Sequence, residues 1–181
     1  MLAREFGDKN NLAWALNGLG ELYRQDDDLQ AAQGLYEQSL ALLREQGSRY
    51  GIAIVLLNLA MVSIGSGVKD RARGFLREVL AVAEEIGSKP LGRHVVEVSA
   101  ALAALCKEWE RTARLFGAAD AQLRTMGRSR EPADEAFLTP VAVKAQEALG
   151  EARFTSADAA GRALSYEDAI EEARAWLEGA H

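Results

Sequence analysis

Few residues of this chain have the types and spacing for chemistry. Gly65-Ser66-Gly67-Val68-Lys69-Asp70 carries the glycines and lysine of a phosphate-binding loop. Such a loop needs a longer interval between its glycines, a Ser or Thr directly after the Lys, and a strand before it. This stretch follows a helical pattern and reads as a turn between helices. Asp26-Asp27-Asp28 offers carboxylates to a cation, but lacks the alternating ligands, the glycine and the closing Glu of a calcium loop. It reads as a solvated turn that caps the next helix. His94 is the one internal histidine, with His181 at the terminus, too few for a zinc site or a Ser-His-Asp set. His94 and Glu97 fall on one helix face as a pair. Cys106 is the single cysteine, so no internal disulfide forms, and its apolar surroundings predict a small buried core residue. The sequence predicts no enzyme, no catalytic residue, no cofactor and no metal.

The elements that carry these residues are helical. Half of the 181 residues are hydrophobic, aromatics are scarce, and proline occurs only at Pro90, Pro132 and Pro140. A net charge of -6 argues against a nucleic-acid or anionic-membrane partner. No apolar run is long enough to span a bilayer and no signal peptide is visible, which predicts a cytoplasmic location.

The organisation is repetitive. Gly7, Gly47, Gly87 and Gly127 recur at intervals of 40, each after a helical stretch that glycine would end. Asp8, Ser48 and Ser88 follow as candidate caps. Leu16, Leu56 and Val96 keep the same phase, as do Gly20, Ala60 and Ala100, and Tyr36, Leu76 and Phe116. Each unit reads as two helices, the first over 11–24 and 29–46 with a turn at 25–28. The second unit turns at Gly65-Ser66-Gly67 and the third around Lys107-Glu108-Trp109.

Leu16, Leu19-Gly20, Tyr23, Ala32 and Tyr36 together resemble the tetratricopeptide pattern. The longer period is similar to that of arrays in large bacterial ATPase-type transcriptional and signalling regulators. Residues 111–119, 148–154 and 161–165 look like the last part of such arrays. The resemblance implies an all-α solenoid of antiparallel helix pairs with a C-terminal helical cap. Residues 1–127 form the array, with 1–7 the remnant of a preceding helix, and 128–181 form the cap. In the cap, a helix interrupted at Thr139-Pro140 ends at Gly150, a second covers about 151–160, and Ser165 starts the last as part of a capping box.

The resemblance also implies a concave groove lined by the first helix of each pair. Its positions here are Trp14, Asn17, Glu21, Arg24, Ile54, Leu57, Met61, Ile64, His94 and Glu97. The groove lacks the lysines of a carboxylate clamp. The second unit's first helix is apolar almost all round, so it is either covered internally or open to a partner helix or second subunit. The function implied is a non-enzymatic protein-interaction or scaffold module, the C-terminal part of a bacterial regulator. It would bind a protein or peptide, with a homodimer one way to cover an exposed repeat face. The alternative is a small-ligand sensor with its effector near Trp14, Met61 and His94.

Overall fold

A computed structural model describes residues 2–179, with side chains from residue 9, and among them nine helices and no strand. These are α1 (Leu2–Gln25), α2 (Leu29–Glu45), α3 (Arg49–Gly65), α4 (Lys69–Glu85), α5 (Lys89–Leu105), α6 (Trp109–Thr125), α7 (Pro132–Leu149), α8 (Glu151–Arg162) and α9 (Tyr166–Glu178). Consecutive helices from α1 to α6 pack in antiparallel pairs, α1 with α2, α3 with α4 and α5 with α6. The first helices of the pairs also touch, α1 on α3 and α3 on α5.

The spacing is finer than the period of 40. Each helix from α2 to α6 has 17 residues, and successive ones start 20 apart, at 29, 49, 69, 89 and 109. The loops share one geometry. Positive φ angles fall at Asp27 (62°), Gly47 (66°), Gly67 (75°), Gly87 (65°), Lys107 (63°) and Gly127 (63°). At each, the amides just beyond the helix return to carbonyls of its last turn, as in Gly47 to Arg44 (3.1 Å) and Ser48 to Leu43 (3.0 Å). That double closure satisfies carbonyls the helix end would otherwise leave free.

Several expectations change. The helix predicted to stop at Gly7 runs unbroken from Leu2 to Gln25, so Asp8 begins no new helix. Neither Ser48 nor Ser88 makes a side-chain cap. Asp28 does cap, accepting from the Ala31 N–H at 3.0 Å. Helix α7 continues through Pro140 instead of breaking at Thr139. Cys106 is half-buried at the end of α5, not in the core.

Thirteen of the seventeen residues of α3 are buried. The all-round apolar helix is therefore covered from within by α1, α2, α4 and α5. Small residues set the crossings: a Cβ at Gly20 would meet the ring of Tyr36 at 2.7 Å. The last three helices wrap the array. Helix α8 crosses α6 so closely that a Cβ at Gly117 would overlap the Asp158 carbonyl, and one at Gly161 the Arg114 carbonyl. Helix α9 lies against α4, α5 and α6. Arg73 and Arg77 of α4 donate to the Trp176 and Leu177 carbonyls, both at 2.7 Å, capping its C-terminal end. Ser165 Oγ accepts from the Asp168 N–H at 3.0 Å, as the capping pattern predicts.

Candidate functional site

The concave side is built from α1, α3 and α5, and α7 lies in it, touching α1, α5 and α6. Pro132 opens α7 at a position where its missing N–H costs nothing. Asp134 follows in the first turn, where the helix dipole favours a carboxylate. It points into the array and meets Arg24, in the last turn of α1, at 2.9 Å. Arg24 also donates to the Ala133 carbonyl (3.2 Å), the Tyr36 hydroxyl (3.4 Å) and Met61 Sδ (3.3 Å). His94 Nε2 stands 3.1 Å from the other Asp134 oxygen, close enough for a charge pair though its N–H is not aimed for a hydrogen bond.

A second buried carboxylate adjoins the first. Glu97 is held by Arg93 at 2.7 Å and by Arg130, from the linker before α7, at 2.5 Å. Arg130 reaches on to Asp120, which also binds Arg162 of α8 at 2.7 Å. One line of charges thus ties α1, α5, α6, α7 and α8 together. Burial alone would raise the Asp134 carboxyl, but His94 and Arg24 hold it down at about 2. Burial pushes the Tyr36 hydroxyl up to about 12, although Arg24 opposes it. Burial would lower the Arg130 pKa, yet Glu97 raises it above its ordinary value.

The ten residues predicted to line an open groove take three fates. Asn17, Arg24, Leu57, Met61, Ile64 and Glu97 are buried. They sit on the expected side or in the core behind it, but α7 and the neighbouring helices cover them. Glu21, Ile54 and His94 are half-buried, and with Glu97 they line a cavity of about 180 Å³ beside the α7 N-terminus. Only Trp14 is exposed. The His94–Glu97 pair is loose at 3.9 Å, because each has a closer partner. Within the cavity, Glu21 accepts from the side-chain amides of Asn17 (2.8 Å) and Asn58 (3.4 Å). No group of three His, Cys, Asp or Glu side chains among the described residues is placed to hold a metal.

Residue-level reading of the sequence missed Asp134, Arg130 and Arg93, which complete the charged line. It expected an exposed repeat face but did not name the residues that form one on α1. Leu12, Leu19, Leu22 and Tyr23 are 51, 43, 58 and 39 % exposed there. Their counterparts forty residues on, Ile52, Leu59, Val62 and Ser63, are all buried. In α3 that face packs on the preceding pair.

Residues 2–45 and 11–85 match the family model described as Tetratricopeptide repeat. The fold is a tetratricopeptide-like array. Neither curated proteins nor solved structures give a match. Two surfaces stand uncovered or partly covered among the described residues: the apolar outer face of α1 and the half-filled concave side. No helix among the described residues is long and apolar enough to cross a membrane.

Proposed function

We propose that this chain is a non-enzymatic protein-interaction or scaffold module whose working surface is the outer face of α1. The observation that carries the reading is the exposure of Leu12, Leu19, Leu22 and Tyr23 at the phase where the repeat elsewhere buries its stacking residues. An apolar stripe of this kind loses free energy to water until something covers it. The concave side supports the reading less, since α7 occupies it.

The regulatory setting is part of the proposal: the C-terminal part of a bacterial regulator, acting in the cytoplasm. Its support is the resemblance of residues 111–119 and 161–165 to the ends of regulator arrays. Those two segments contain Gly117 and Gly161, the glycines of the α6–α8 crossing. A photo-crosslinking residue placed at Leu19 should capture a defined protein partner, and the same residue at exposed Lys144 should not. Equal capture from both positions would sink the reading.

The concave cavity favours a second reading, a small effector. Its volume of about 180 Å³ is near the roughly 150 Å³ that takes a benzene-sized molecule. Glu21 there is bonded to amides and not to a cation, which suits a small alkylammonium group. Thermal stabilisation by short alkylamines, lost in Glu21→Gln, would support it. No stabilisation by any of them would end it.

A further inference from the structure

We propose that His94 is a pH-dependent latch on α7: charged, it holds the first turn of that helix on the concave side, and neutral, it lets the turn lift. One carboxylate is shared between two helices of the array. Asp134 Oδ1 meets Arg24 of α1 at 2.9 Å, and Oδ2 faces Nε2 of His94, on α5, at 3.1 Å. The guanidinium stays charged at any pH the fold meets. The imidazole is charged only with its second proton. The tie to α1 is therefore permanent and the tie to α5 conditional.

Charges face His94 from every side. Its own helix presents Glu97, 3.9 Å from Nε2, so the imidazole stands between two carboxylates. Arg93 of α5 and Arg130 of the linker neutralise Glu97. Asp120 of α6 and Glu135 of α7 reach Arg130, each at 3.5 Å. Glu21 of α1, Tyr50 of α3, and Arg128 and Glu131 of the linker line the same cavity as His94. Of these residue types, histidine is the one that changes charge between about pH 5 and pH 8. Asp134 stays ionised across that range, because its pKa is held at about 2. Protonation of His94 thus adds attraction for α7 that is full at the acid end of the range. That attraction is lost as pH rises through the titration of the ring.

One charge can matter because α7 is lightly held. Four of its eighteen residues, Ala133, Asp134, Leu138 and Ala145, are buried, against thirteen of seventeen in α3. Two of the four lie in the first turn, at the latch. Further along, Leu138 and Ala142 share a cavity with Phe116 of α6 and Phe154 of α8, which gives the rest of the helix its own anchorage. Arg130, bound to Glu97 at 2.5 Å, keeps the linker tethered to α5. The first turn can therefore lift without freeing the chain. Ala133 and Asp134 wall the concave cavity of about 180 Å³, so lifting them opens it. Access to the concave side rises with pH.

Hydrogen exchange of the full chain at about pH 5.5 and pH 8, each corrected for its intrinsic rate, tests the latch. Amides in the first two turns of α7 should lose about tenfold in protection at the higher pH, the scale on which a charged partner exceeds a neutral one. Amides of α3 should hold constant. His94→Gln keeps a neutral donor in place, and should leave α7 at the wild-type pH 8 level at both pH values. Asp134→Asn removes the charge that His94 answers to, and should flatten the response as well. Protection of α3 reports whether each variant keeps its fold, and where one does not, the other decides. Equal protection of wild-type α7 at both pH values overturns the latch. So does a pH response that survives either substitution in a folded variant, which would trace to another group. A loss shared equally by α3 also overturns it, since the whole molecule would then be responding.

Discussion

Arg24 and Asp134 lie 110 residues apart in sequence and meet at 2.9 Å inside the protein. The guanidinium ends the first helix of the array, and the carboxylate begins the helix laid across its concave side. A buried pair of this kind gains little by existing, because desolvating two charges offsets their attraction. Breaking it is another matter, since the survivor is left charged and unpaired. Asp134→Ala should cost about 3 kcal/mol in denaturant unfolding, with Arg24→Met similar. The double substitution Arg24→Met/Asp134→Leu should recover most of that loss. A double variant as unstable as the sum of the singles would mean that the two side chains do not act as a pair.

The same carboxylate gives the protein a distinct response to acid. Its pKa is held at about 2 in the folded chain, below the ordinary carboxylate value. A depressed folded pKa contributes stability that is full above the unfolded value and fades as pH falls through the folded one. Between pH 5 and pH 2 wild type should lose about 2 kcal/mol through this group. Asp134→Asn should lack that component, so the stability gap between the two narrows on acidification. A gap that stays constant over this range would contradict the assignment.

The loops offer a prediction of opposite sign. Lys107 holds φ at 63°, in a place that glycine fills in four of the six equivalent loops. A side chain with a Cβ pays for that conformation, while glycine does not. Lys107→Gly should raise stability by about 0.5–1 kcal/mol, and Gly47→Ala should lower it by about 1 kcal/mol. Thermal melts of the two variants against wild type would show whether they move in opposite directions.

Glycines inside helices should divide by what surrounds them. A Cβ at Gly74 meets nothing within 4 Å, so Gly74→Ala removes only a helix-weakening residue and should stabilise by about 0.5–1 kcal/mol. Gly161→Ala would drive α8 off α6, at a cost of about 2–3 kcal/mol. Limited proteolysis should then cut first near α8. If the two alanines had equal effects, the α6–α8 approach would not be as close as described.

The array was legible in the sequence because its signals are local. Glycine at 47, 87 and 127 marks helix ends, and Gly20 with Tyr36 marks a crossing, each readable within one unit. The spacing of 20 was hidden because Asp27 and Lys107 stand where glycine marks the other turns. The residues expected in the groove share one phase along the first helices of the pairs, as the period of 40 requires. What periodicity could not show was that α7 lies across them, since α7 departs from the repeat and its contacts to Arg24 and His94 are long-range. The α8 crossing was likewise out of reach: Gly161 looks like a helix breaker until Arg114 is seen beside it. An exposed repeat face was expected from the sequence, but Leu12 and Leu19 share the phase of Ile52 and Leu59, which are buried, so which residues form that face was not legible.

The even metre of the helices has a consequence for how such a chain can be rebuilt. Residues 48–87 begin and end at matching Gly-Ser joints, in loops of one geometry. At the joints themselves that stretch is a unit, and a second copy spliced in at Gly87 would meet loops of the kind already there. What resists such lengthening is α7, which joins α1 to α5 across the splice: a unit inserted at Gly87 would part Arg24 from Asp134.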